Sequence, residues 1–110
     1  MATLTKQVVV LGGLGPTYAA ASAGGDEVLN SGKLFIHVKN ANVSTARNVT
    51  VDSQQACSQG FDHDAAVSVP ASSERMIGPF PKDRFNDSGG KIQISYDSEA
   101  DLTIAAIEVP

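Results

Sequence analysis

Aromatic side chains are scarce in this chain: four Phe and two Tyr make up 5% of its 110 residues, and Trp is absent. Large rings carry the biggest apolar payload of any side chain, so a core built here has to rest on Val, Ile, Leu and Ala. A domain of this length buries roughly 60–70% of the surface its unfolded chain exposes, which leaves a thin stability margin. Support from a partner, or from further copies of the chain, is the expectation that follows. Basic residues are also few. Eight Lys and Arg stand against twelve Asp and Glu, for a net charge of -4, and only Lys82 and Arg84 sit close together. Phosphate neutralisation supplies most of the affinity of a nucleic-acid binder, so this composition argues against a direct nucleic-acid partner.

Two further shortages set limits. The single Cys57 excludes an intrachain disulfide. Long apolar runs are missing, whereas a membrane span takes about 20 apolar residues and a secretory leader takes a basic start and a longer apolar stretch. The opening MATLTKQVVVLGGLGP offers only a few apolar residues before Gly and Pro. The expectation is synthesis in cytoplasm, with no membrane partner.

What the chain does have is period-two alternation cut by turn residues, the mark of half-buried strands. Gln7-Val-Val-Val-Leu11 runs into Gly12-Gly13 and Gly15-Pro16. Lys33-Leu-Phe-Ile-His-Val-Lys-Asn40 places Leu34, Ile36 and Val38 on one face and Phe35, His37 and Lys39 on the other. Asn48 to Asp52 turns Val49 and Val51 inward, Ala65 to Val69 stops at Pro70, and Arg75 to Gly78 stops at Pro79. Lys91 to Tyr96 aligns Ile92, Ile94 and Tyr96. Asp101 to Val109 begins with Leu102 and Ile104 inward and then shifts phase to Ile107 and Val109, which predicts a bulge or a strand covered on both faces. Tyr18 to Ala23 has helical propensity, but Gly24-Gly25 cuts it short, so a loop or a single turn is predicted there. The whole, residues 1–110, predicts one all-β domain: a single antiparallel β-sandwich of about seven short strands, Ig-like or jelly-roll-like, with a short N-terminal arm or strand.

The most chemical-looking segment is Cys57-Ser-Gln-Gly-Phe-Asp-His-Asp64, with a thiol, an imidazole and two carboxylates. A structural zinc site takes four ligands, usually Cys and His in paired spacing, and this chain holds one Cys and two His. The spaced carboxylates of an EF-hand are missing, and nothing supplies an oxyanion hole for a Cys–His nucleophile. The segment therefore reads as a polar connection in which Asp and Gly serve turn geometry and Phe61 anchors the loop. Gly12-Gly-Leu-Gly-Pro16 lacks the Lys-Ser/Thr ending of a phosphate loop, with no helix after it. Asp26, Glu27, Asp83 and Asp87 each stand beside turn residues and read as solvated loop carboxylates. No catalytic residue, metal ligand or cofactor is assigned, and the chain reads as a non-enzyme.

Ile77-Gly-Pro-Phe-Pro-Lys-Asp-Arg-Phe-Asn86 carries two of the six aromatics, with prolines on both sides of Phe80 that pre-order the backbone. Two readings fit. Phe80 and Phe85 plug the open end of the sandwich, or Phe80, Pro81, Arg84 and Phe85 are presented to a neighbouring protein, where aromatics and Arg tend to dominate binding.

In its order of segments the chain resembles the small head decoration, or cement, proteins of tailed bacteriophages. The resembling parts are Gly15-Pro-Thr-Tyr-Ala-Ala-Ala21, Gly24-Gly-Asp26, Leu34-Phe-Ile-His-Val-Lys-Asn40, Val49-Thr-Val-Asp-Ser53, Cys57 to Asp64, Val67-Ser-Val-Pro70 and Ile77-Gly-Pro-Phe-Pro81 through Arg84-Phe-Asn-Asp87. They span most of the chain. The resemblance implies a non-enzymatic virion protein on the capsid exterior, often a homotrimer, that binds the major capsid protein and stabilises the head. Two alternatives stand beside it: another phage structural part, from the tail or the head–tail connector, and a carbohydrate-binding sandwich module. The last would want exposed Trp or Tyr platforms, and only Tyr18 and Tyr96 are on offer.

Overall fold

In the computed structural model, residues 2–54 and 64–110 are described. The alternating segments form strands as expected. They are β1 (Ala2–Thr3), β2 (Gln7–Val8), β3 (Ala19–Ala20), β4 (Asp26–Leu29), β5 (Leu34–Asn40), β6 (Arg47–Val51), β7 (Ala65–Val69), β8 (Glu74–Ile77), β9 (Lys91–Tyr96) and β10 (Leu102–Glu108), with a single helical turn, α1 (Lys82–Phe85), between β8 and β9. One sheet runs β1-β4-β9-β6-β7. The other runs β2-β10-β5-β8, and β3 also pairs with β10. Val28, Ile92, Ile94, Val49, Val51 and Val69 of the first sheet face Leu34, Ile36, Val38, Ile77, Leu102, Ile104 and Ala106 of the second in one core. This is a β-sandwich.

Three details correct the expectations. There are ten strands among the described residues rather than about seven. The additions are short or start beside glycines: β1, β3 and β4, which propensity cannot mark because tertiary pairing makes them. Tyr18 to Ala23 does not form a free loop or helical turn, for Ala19 and Ala20 pair antiparallel with Ile104 and Thr103. The sheets are mixed rather than purely antiparallel, since β1 runs parallel to β4 and β2 parallel to β10. Both parallel pairs belong to the N-terminal arm, which crosses from one sheet to the other between Thr3 and Gln7. Leu4, between them, packs on the core.

The phase shift in the last strand resolves without a bulge. β10 matches β5 pair for pair from Leu102↔Asn40 to Glu108↔Leu34. Ala105 and Ile107 are buried along with Ile104 and Ala106, so this strand is covered on both faces.

Both ends of the sandwich are tied by a buried asparagine. Asn40 Nδ2 donates to the carbonyls of Thr45, Val69 and Pro70 at 3.0–3.3 Å. Asn30 Nδ2, at the other end, donates to the Phe80 carbonyl at 2.9 Å and to Asn86 Oδ1 at 2.7 Å. Buried polar groups have to be bonded, and here the bonding stitches loops distant in sequence.

Candidate docking surface

The loop singled out for its aromatics turns them inward. Phe80 and Phe85 are 2% and 4% exposed, and their rings meet edge to face with centroids 5.4 Å apart. Pro81 starts α1, its carbonyl accepting from Phe85 N at 3.0 Å, and that turn swings Phe85 back under Phe80. Of the four residues proposed as contacts, only Pro81 and Arg84 keep surface. Arg84 is half-buried, its guanidinium carbon 4.8 Å from the Phe85 ring centroid.

Exposed apolar side chains gather instead on the arm. Val8, Val9, Val10 and Leu11 are all exposed, Leu11 completely, and Val109 is 50% exposed. The cause is geometric. β2 pairs Gln7 with Ile107 and Val8 with Glu108, and Val9 N reaches the Glu108 carbonyl at 2.9 Å. β10 ends there, so Val10 and Leu11 overrun the sheet, turn through the 2.9 Å bond from Gly13 N to the Val10 carbonyl, and find no layer to lie on.

The arm is fastened at several points. Gln7 brackets Thr17, donating to its carbonyl at 2.7 Å and accepting from its N–H at 2.8 Å. Lys6 Nζ lies 3.2 Å from Glu108 Oε1, which also accepts from Ser31 Oγ. These partners, the Ser31 hydroxyl first and Lys6 next, hold the Glu108 carboxyl below its ordinary 4.5. Thr3 Oγ1 donates to Glu27 at 2.9 Å, and Lys91, Gln93 and Thr3 together lower the Glu27 carboxyl in the same way.

Tyr18 makes the next fastening. Its hydroxyl lies 2.6 Å from His37 Nδ1, and His37 Nε2 lies 3.1 Å from Glu74 Oε1. A carboxylate only accepts, so Nε2 carries a hydrogen, and in the neutral ring Nδ1 is then the acceptor and Tyr18 donates. His37, read from sequence as a polar-face residue, is 6% exposed because Tyr18 covers it. Phenol, imidazole and carboxylate in line have the order of a nucleophile, base and orienter. The adjacent groove does not use them. About 470 Å³ in volume, it lies between β1, β2 and the edge of β10, and is lined by Leu4, Thr5, Gln7, Thr17, Ala19 and Ala105 among others, with no ionisable side chain.

One carboxylate read from sequence as solvated is buried. Asp26 is not a solvated loop residue but lies on β4 with no exposed surface. Its Oδ2 accepts from Tyr96 Oη at 2.7 Å and from Ser22 N at 3.2 Å, while Oδ1 is buried without a partner. Burial, with Asp26 adding to it, drives the Tyr96 phenol far above its ordinary value. Glu27 is likewise on β4 rather than in a loop, 20% exposed and bound to Lys91, Gln93 and Thr3, whereas Asp83 is exposed on α1 and Asp87 is half-buried. Both tyrosine hydroxyls are thus engaged internally.

Cys57, Phe61, Asp62 and His63 lie outside the described residues. Of that octapeptide Asp64 is described, exposed and accepting from Ser53 N at 2.7 Å. Among the described residues no three His, Cys, Asp or Glu side chains cluster as metal ligands would, and no helix is long and apolar enough to cross a membrane. No protein-family model matches the chain, and no curated protein or solved structure matches it.

Proposed function

We propose that this protein is a non-enzymatic structural component of a tailed-phage virion, a capsid decoration protein that binds the major capsid protein from outside and stabilises the head. The observation that carries the reading is the exposed run Val8–Leu11 on a sandwich that spends Phe80 and Phe85 on its own core. Contiguous exposed apolar surface on a small domain marks a docking site, and anchoring at β2 reduces the ordering cost of using it. The ordered likeness to decoration proteins in Gly15–Ala21, Leu34–Asn40 and Ile77–Asp87 supplies the class of partner. Many copies, each bound modestly at junctions between shell subunits, reinforce a shell by multivalency. A trimer would supply the extra burial that a core poor in aromatics invites.

Quantitative mass spectrometry of purified virions tests the reading. The expected result is a copy number comparable to that of the major capsid protein, with immunogold label on the head. Label confined to the tail or connector transfers the protein to the second structural reading, and its absence from virions ends both.

A further inference from the structure

The end of the sandwich that bears the arm also carries an uneven charge. Val109 N donates to the Lys33 carbonyl, the Glu108 backbone holds Val9, and the Asn30 side chain reaches Phe80 just before α1. These bonds bring the arm, the turn at Asn30–Lys33 and α1 to one rim. Lys82 lies over that turn, its aliphatic carbons 3.6–4.0 Å from where a Cβ on Gly32 would stand. Lys33 and Lys82 are therefore neighbours, both exposed, and Lys33 adjoins the exposed Val109, across β10 from the arm. The rim's carboxylates are mostly engaged. Glu108 is bound to Ser31 and Lys6, and Asp87 accepts from Gly89 N, Lys91 N and Gln93. Asp83 is the acid left exposed on α1. A chain of net charge -4 thus keeps two exposed lysines on the rim that carries its apolar arm.

We infer that this rim, Val8–Leu11 and Val109 together with Lys33 and Lys82, is the surface that docks, and that its partner is an acidic protein surface with an apolar recess for Leu11. The inference rests on the proposed function for the partner's identity and adds which face of the sandwich meets the shell. An apolar centre that loses its water supplies affinity, while opposite charges around it set orientation and association rate. A partner ringed with Lys or Arg is repelled, and one without carboxylates leaves the lysines unused.

The test measures binding of the full chain to purified heads assembled without it, across a range of salt. Leu11→Asp is expected to weaken binding about tenfold or more, by forcing a charge into the contact. The double variant Lys33→Glu/Lys82→Glu is expected to lose about tenfold at low salt, less at high salt where charges are screened. Charge reversal of Glu99, in the turn before β10, is expected to leave affinity unchanged. Circular dichroism and melting of each variant separate lost contact from lost fold, and Leu11→Ser gives a milder probe of the same site. Binding by the wild type that all variants retain overturns this inference alone. Absence of wild-type binding overturns the proposed function and this inference with it. Two other results also overturn it: stronger binding to vesicles of equal parts phosphatidylglycerol and phosphatidylcholine, lost in the same variants, or self-association lost in Leu11→Asp.

Discussion

Phe80–Phe85 and Val8–Leu11 look alike on paper, each an apolar cluster hemmed by Pro or Gly, yet one is buried and the other exposed. The difference is what the backbone around each has to bond with. Phe80 hands its carbonyl to Asn30, and Pro81 opens a turn that returns Phe85 to the core. The arm has β10 to pair with only as far as Glu108, after which it runs past the sheet. Hydrophobicity says that a segment wants cover; the supply of hydrogen-bond partners decides whether it gets it within its own chain.

The largest expected effect breaks the plug. Phe80→Ala removes a ring buried against Phe85 and is expected to cost about 3–5 kcal/mol by chemical denaturation. Leu11→Ser, on the arm, is expected to stay within about 0.5 kcal/mol. If the two losses come out equal, the contrast between a buried and an exposed cluster is wrong.

A smaller effect tests how firmly the sheet beneath the arm is held. Asp26 pairs with Ala2 of β1 and with Ile94, and receives Tyr96. Asp26→Ala strands the half-buried Tyr96 hydroxyl and the Ser22 amide, at a cost of about 1–3 kcal/mol. Asp26→Asn keeps an acceptor for both and is expected to lose less. The ordering of the two melting temperatures checks it.

How far the sequence carried this picture follows from the kind of signal each element gives. β5, β6, β7, β9 and β10 show in alternation because each buries one face, or two, along its whole length. β1 and β3 are two-residue pairings whose only cause is the edge of a neighbouring strand, and no local pattern writes that down. Asp26 misled because a carboxylate next to Gly24-Gly25 is ordinarily a turn residue. Here Gly25, at φ +97°, brings the backbone so close to the Ile94 carbonyl that a Cβ would collide with it, and the chain enters β4 already buried. The aromatic loop was legible as a plug or a contact, and Asn30 and Asn86, fifty-six residues apart in sequence, settle its packing. The arm was legible as an arm. That its tip stays uncovered depends on where β10 stops, a matter of tertiary register.

A third effect loosens the strap behind the arm. Tyr18→Phe keeps the ring against His37 and below Lys39 Nζ, which stands 4.1 Å from the centroid, but removes the 2.6 Å hydrogen bond. The expected loss is about 0.5–1.5 kcal/mol, with faster hydrogen exchange at Ala19 and Ala20 than in β5. Equal exchange in the two strands would mean that β3 does not depend on this bond.

The smallest effect concerns the base of the arm and sets its direction with pH. The Ser31 hydroxyl and Lys6 hold the Glu108 carboxyl below 4.5 in the folded protein, with Lys33 contributing at longer range. A carboxyl whose folded value is depressed adds stability at every pH above its unfolded value, and that contribution fades as pH falls past 4.5 and through the folded value. The tie between Lys6 and Glu108 is therefore constant at neutral pH and weakens only in acid. Glu27 and Asp87 are depressed too, so wild type alone cannot isolate one carboxyl, and the difference from Glu108→Gln does. Glutamine keeps the shape and does not titrate. Cleavage by an acid-active protease at Val8–Leu11 is expected to rise in the wild type as pH drops below 4.5, while the variant starts higher and changes less. Parallel curves would show that the arm's base is held by its β2 pairing with Ile107 and Glu108 rather than by the ion pair.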